Sequence, residues 1–184
     1  MKLYNEEEIL IQLRSANIDL QKRAFEMVVS HYSEKLYHQI RKMVISHDDA
    51  NDLLQNTFIK AWTNFESFRG ESLLSTWLYK IAHNETITFL NKQNAHNNIS
   101  IDDADSFLIE KLESEEHFDA DAIHLELQKA VLLLPDKQRA VFNLRYYDDM
   151  QYEEMSKIMG TSVGALKASY HHAVKKIEEF LNRD

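Results

Sequence analysis

The chain has 184 residues and a formal charge of −9, with 30 Asp and Glu against 21 Lys and Arg. It has no cysteine, which excludes a disulfide framework and a thiolate metal site. The length admits one medium domain or two small ones, and the net acidity speaks against phosphate binding until its distribution is considered.

Residues 1–94 hold 11 Lys and Arg against 12 acids, and 123–184 hold 9 against 9, whereas 95–122 hold one Lys against 9 acids. The excess charge is therefore local, and each flank can still cluster its cations on one face. The N-terminus, MKLYNEEEIL, lacks the cationic start and long apolar core of a signal peptide, and no apolar run approaches membrane length. A soluble cytoplasmic protein with no direct membrane insertion is expected. Three glycines and one proline leave few breaks, so long helices should dominate and the expected fold class is all-α.

In chain order, Leu20, Ala24, Val28, Tyr32, Leu36, Ile40 and Met43 recur at three- and four-residue steps and predict a helix that buries one stripe. Asp48 or Asp49 is the expected N-cap of the next helix. Its inward stripe is expected at Leu54, Phe58, Ala61 or Trp62, and Phe65, which leaves Asp52, Gln55, Asn56 and Ile59 on another face. FESFRGES, from Phe65 to Ser72, breaks the pattern at Gly70, and Ser72 can cap a helix reaching about Lys92.

From Asn94 to Asp121 the chain is polar and acidic with no sustained apolar period, as expected of a linker. Ile99, Ile101, Phe107, Leu108, Ile109 and Leu112 are too many apolar residues for an inert spacer. The expected organisation is thus two small helical domains, 1–94 and 123–184, joined by an acidic linker at 95–122.

In the second domain, Leu125, Val131 and Leu134 lead to Pro135, which with Asp136 should end one helix and start another through Val141, Leu144 and Tyr147. Tyr152, Met155, Ile158 and Met159 then predict a short helix, Gly160 a tight turn, and Val163, Leu166, Tyr170, Val174, Ile177 and Leu181 a long final helix. Thr161 or Ser162 would cap that helix and aim its N-terminal amides at a phosphate. Lys167, His171 and Lys175 stand at four-residue steps as an outward row, with Ser169, Tyr170 and His172 between them. An ordinary helical hairpin with a solvated polar face would show much of the same pattern, and Tyr170 lies partly on the inward seam.

The first-domain loop carries a different chemistry. Parting two DNA strands exposes base faces, and stacking each on an aromatic ring returns about 1–3 kcal/mol. Phe65, Phe68, Trp77 and Tyr79 supply rings, Arg69 and Lys80 supply phosphate partners, and Glu71, Ser72 and Ser75 could read the edges of a flipped base. A core role for Phe65 and Trp77 is an equal alternative. No catalytic constellation is found: nine histidines include one adjacent pair, His171 and His172, without a third ligand at metal spacing, and no phosphate-cradling glycine loop occurs. No enzyme activity, cofactor or metal is expected.

The segment DANDLLQNTFIKAWTNFESFRGESLLSTWLYKIAHN resembles the core-binding and promoter-melting segment of bacterial sigma factors of the extracytoplasmic-function (ECF) group. LPDKQRAVFNLRYYDDMQYEEMSKIMGTSVGALKASYHHAVKKIEEFL resembles the C-terminal domain of the same group. The resemblance implies that Asp49, Asp52, Gln55, Asn56 and Ile59 dock on the clamp coiled coil of core RNA polymerase. It implies that Phe65–Ser75, with Trp77 and Lys80, captures the melted minus-ten element, and that Thr161–Lys175 lies on the minus-thirty-five duplex. The linker would pass near the polymerase active centre, its acids Asp102, Asp103, Asp105, Glu110, Glu113, Glu115 and Glu116 suiting a positively charged channel. An anti-sigma factor is a further partner the resemblance admits.

Two departures from the family pattern stand out. FLNKQNAHNN is poor in Arg and Lys, and Ser169, His172 and Val174 stand where many relatives place arginine. A helix-turn-helix regulator with a sensing or dimerising N-terminal domain, or a pure interaction protein, would require neither the Asp49–Ile59 face nor the Phe65–Ser75 loop.

Overall fold

A computed structural model describes residues 4–97 and 122–182. The linker acids and apolar residues named above lie outside the described residues. Every regular element among the described residues is helical.

The first helix, α1 (Glu6–Leu13), opens on Asn5, whose side chain accepts from the Glu7 and Glu8 amides. The long α2 (Ile18–Val44) is capped in the same way by Asn17, 2.9 Å from the Asp19 amide. The expected stripe of α2 is buried from Ala24 to Met43, but Leu20 at the solvent end is 38% exposed. After α2 the chain turns at Ile45, a β-branched residue at φ 63°. Such a conformation is strained and persists only where the surroundings hold it. Here the Ile45 side chain is buried against Leu132 and Leu125 of a helix far along the sequence.

In α3 (His47–Thr63) the cap is Ser46, whose hydroxyl accepts from the Asp49 amide at 3.3 Å. The expected Asp48 and Asp49 instead occupy the first turn, where their charge complements the helix dipole. The buried stripe is Ala50, Leu53, Thr57, Phe58 and Ala61, with Leu54, Trp62 and Phe65 only half-buried. Thr57 can sit inside because its hydroxyl donates to the Leu53 carbonyl at 2.7 Å. A short 3-10 turn, Phe65–Ser67, leads to Gly70 at φ 77° and then to α4 (Leu74–Asn97). That helix runs past both Lys92 and the expected domain boundary at residue 94.

The second half comprises α5 (Ala122–Leu132), α6 (Asp136–Tyr146), α7 (Tyr152–Met159) and α8 (Val163–Leu181). Pro135 separates α5 from α6 as expected. Arg139, 3% exposed, bridges the break by donating to the Leu132 carbonyl at 3.3 Å and to Asp136 at 2.7 Å. Gly160 ends α7 in the left-handed conformation at φ 63° that side chains adopt only at a cost. Ser162 then caps α8, its hydroxyl accepting from the Ala165 amide at 3.3 Å, whereas Thr161 turns back to the Met159 carbonyl.

The two halves are not separate bodies. One apolar cluster runs from α1–α4 into Ala140, Val141 and Leu144 of α6, Met155 and Ile158 of α7, and Leu166 of α8. Polar contacts cross the same seam: Thr76 of α4 donates to Glu154 of α7 at 3.0 Å, and Lys42 of α2 pairs with Asp148 at 3.2 Å. Where α2, α5 and α6 meet, a cavity of about 410 Å³ is lined by residues including His38, Arg41, Ile45, Gln128 and Asn143.

Candidate nucleic-acid interface

Three surfaces carry the residues singled out above. On α3, Asp52, Gln55 and Asn56 are exposed, Asp49 is half-buried, and Ile59 is 53% exposed. Gln55 and Ile59 stand on the edge of an open groove of about 480 Å³ between α2 and α3, whose apolar lining includes Phe25, Val29, Leu54, Phe58 and Trp62. The Phe25 ring stands edge-on to Trp62 at 5.0 Å and to Phe58 at 6.3 Å, so the groove wall is rigid aromatic surface. An apolar groove bordered by polar side chains is the composition of a protein-binding patch. Phe25 was missed in the sequence, although Phe25, Val29 and Ser33 form a second stripe at four-residue steps beside the buried one.

The loop surface differs from expectation. Phe68 is 5% exposed and packs its ring against Trp77 at 5.2 Å and Phe65 at 6.0 Å. Its ring belongs to the core and is not offered to a base in this conformation. Phe65 and Trp77 are half-buried, with ring centres 6.2 Å apart, so each keeps part of its surface outward. Arg69, Glu71 and Lys80 are exposed, and Ser72 and Ser75 are half-buried beside them. Tyr79 is buried, and that burial, with Asp148 and Glu154 nearby, pushes its hydroxyl pKa up to about 12.

On α8, Lys167, His171, His172 and Lys175 are exposed, and Ser169 is half-buried. Tyr170 is half-buried and stacks on Phe142 with ring centres 5.9 Å apart, which settles its packing role. Gly164, Ala165 and Ala168 are also exposed, so the first turns of α8 present a low surface between the cations. Small residues there let a helix approach a duplex closely, a signal readable in the sequence but not used. Lys167 stands 5.7 Å from the Tyr152 ring and Lys175 lies 3.8 Å from Glu179, and both ammonium groups remain in solvent. Among the described residues, no three His, Asp or Glu side chains gather as metal ligands, and no helix is long and apolar enough to cross a membrane.

Residues 28–96 match the Sigma-70 region 2 family and residues 124–177 match Sigma-70 region 4. The chain is 32% identical over 165 residues to an ECF RNA polymerase sigma-E factor of Haemophilus influenzae, covering 85% of this chain and 87% of that protein. It is 31% identical over 166 residues to the ECF RNA polymerase sigma factor SigW of Bacillus subtilis, covering 86% and 89%. The fold is similar to that of CnrH, solved with the cytosolic domain of CnrY, at a TM-score of 0.67 and 22% identity over 97% of this chain and 98% of that one. It is likewise similar to the sigma factor RpoE solved with the anti-sigma factor NepR from Bartonella quintana, at 0.65 and 23% identity over 87% and 98%.

Two such modules in this order on one chain define a sigma factor. The chain belongs to the ECF sigma factors of RNA polymerase. It is a transcription initiation factor that works with core RNA polymerase and promoter DNA.

Proposed function

We propose that the protein docks on core RNA polymerase through Asp49, Asp52, Gln55, Asn56 and Ile59. The observation that carries this reading is the exposed Ile59 beside Gln55 in the lining of the Phe25–Phe58–Trp62 groove, with Asp52 and Asn56 exposed on the same helix. The apolar groove supplies buried area, and the carboxylate and amides supply orientation.

The segment Phe65–Ser75, with Trp77 and Lys80, captures the opened minus-ten strand. Arg69 and Lys80 meet phosphate, the outward parts of Phe65 and Trp77 offer stacking surface, and Glu71, Ser72 and Ser75 face a displaced base. The start of α8, capped at Ser162 and continued by Lys167, Ser169, His171, His172 and Lys175, lies on the minus-thirty-five duplex. Thr161 and Tyr170 support that surface from within. An anti-sigma factor is a partner consistent with this architecture, as the RpoE neighbour was solved with the anti-sigma factor NepR.

The test is a titration of core polymerase with wild type and with Asp52→Ala/Gln55→Ala, followed by run-off transcription on a promoter library. Weaker core binding by the variant at unchanged helicity supports the docking face, because exposed substitutions shift stability by only about 0.5 kcal/mol. Equal binding overturns it.

A further inference from the structure

The residues matching region 2 begin at 28, so α1 lies ahead of them. Yet α1 holds both ends of the minus-ten segment. At its first residue, the Glu6 carboxylate accepts the Leu74 amide at 3.0 Å through one oxygen and the Tyr32 hydroxyl at 3.3 Å through the other. Just beyond its last residue, Arg14 donates to the Phe68 carbonyl at 3.3 Å. The same guanidinium stands 3.5 Å from where a Cβ on Gly70 would lie.

Leu74 is the first residue of α4, and its N–H is one of the helix-start donors that the helix itself leaves unbonded. Loops of this kind usually cap the following helix with a residue just ahead of it. Here the cap arrives from 68 residues earlier in the chain. It supplies a negative charge where the α4 dipole is positive. Between the two anchor points, Arg69, Gly70, Glu71 and Leu73 are exposed, Leu73 at 63%. The path from Phe68 to Leu74 is thus set at both ends by α1 and left open in the middle.

We propose that Glu6 and Arg14 are positioning residues for minus-ten recognition, fixing the loop in the shape that selects and holds a displaced base. This rests on the reading of Phe65–Ser75 as the capture segment. Neither residue touches DNA in this scheme. Glu6 acts through the N-terminus of α4 and Ser72–Ser75, and Arg14 acts through the backbone of Phe68–Gly70.

The experiment uses holoenzyme reconstituted with Glu6→Ala, Glu6→Gln and Arg14→Ala, on a promoter that the wild type selects from the library. Templates carry each base in turn at every minus-ten position, as closed duplexes and as pre-opened bubbles. Glu6→Ala and Arg14→Ala should each lower open-complex formation on duplex by about fivefold, the change that losing one helix cap or one net hydrogen bond makes in an equilibrium. They should also flatten the base preference within the minus-ten element while leaving core affinity unchanged. Glu6→Gln should recover part of both, because its amide oxygen still accepts the Leu74 N–H while the charge at the α4 N-terminus is lost. A proportional loss on all templates, or a Gln variant as impaired as Ala, overturns the proposal. Arg14 is exposed at the end of α1, so its variant keeps the fold and provides an independent reading. A wild-type holoenzyme with no base preference in that element would instead refute the capture role of the loop itself.

Discussion

The Asn143 side chain of α6 donates to the Lys42 backbone carbonyl near the end of α2 at 3.3 Å. The same nitrogen lies 3.5 Å from the Met43 sulfur, and Asn143 is 2% exposed. A neutral amide therefore joins two halves of the chain 101 residues apart.

Replacing Asn143 with Ala should lower the unfolding free energy by about 1–3 kcal/mol, since the part-buried Lys42 carbonyl loses its donor. Urea unfolding followed by circular dichroism reads this directly. An unchanged midpoint would show that the two halves hold together without this bond.

Asp148 sits in the same seam, and burial pushes its carboxyl above the ordinary 3.8, outweighing the opposing pull of Lys42 and His38. A raised folded pKa means that the folded state holds the proton more tightly. Stability from this group is therefore fully present below 3.8 and is lost as pH rises through the folded value. Asp148→Asn should remove that loss, so the variant should gain on wild type in urea midpoint from acidic to neutral pH. Lys42 would keep solvent and the Tyr147 ring, 4.5 Å from its ammonium, as partners. A variant that falls behind wild type at neutral pH would show the ion pair to be the stronger effect.

Phe68 and Arg69 are neighbours in sequence with opposite surroundings. Phe68→Ala should cost about 3–5 kcal/mol, as loss of a buried aromatic ring does. Arg69→Ala should stay within about 0.5 kcal/mol of wild type while reducing open-complex yield. Thermal unfolding and a permanganate footprint of the minus-ten strand, run on both variants, test the contrast.

Loss of Lys167 or Lys175 should weaken duplex binding evenly across sequences and flatten the salt dependence by about 0.9 for each phosphate contact removed. Binding titrations at several salt concentrations give the slope. A loss confined to certain sequences would make the residue a base reader.

The repeating apolar steps made most of the helices legible in the sequence, along with Pro135, the Gly160 turn and the exposed face of Asp52, Gln55, Asn56 and Ile59. Local patterns carry that information because they depend on residues within a turn or two. The misses have two sources, side-chain bonds within one helix turn and contact at long range. Thr57 is buried because it bonds its own helix, leaving Leu54 to face the groove. Ser46, two residues ahead of Asp48, caps α3, and both residue types accept the same helix-start bonds. Phe68 beside a glycine and an arginine looks exposed until Phe65 and Trp77 close over it. Nothing near Glu6 signals that its partner is Leu74, and nothing near Ile45 signals Leu132.

The shared core between the halves has a thermodynamic consequence for promoter use. Elements at minus ten and minus thirty-five are about 25 base pairs apart, roughly 85 Å of duplex. Under the proposed assignment of Phe65–Ser75 to one element and the start of α8 to the other, contacting both at once would require the seam of the shared core to part. The apparent affinity of any partner that requires the parted form is reduced in proportion to the fraction of molecules in that form. Linkage then runs in both directions: a molecule that favours the packed form weakens such a partner by the same factor as the partner weakens it. On that assignment, seam residues such as Asn143, Asp148 and Glu154, which stand apart from the proposed polymerase and duplex surfaces, would tune how much protein is needed to switch a promoter on.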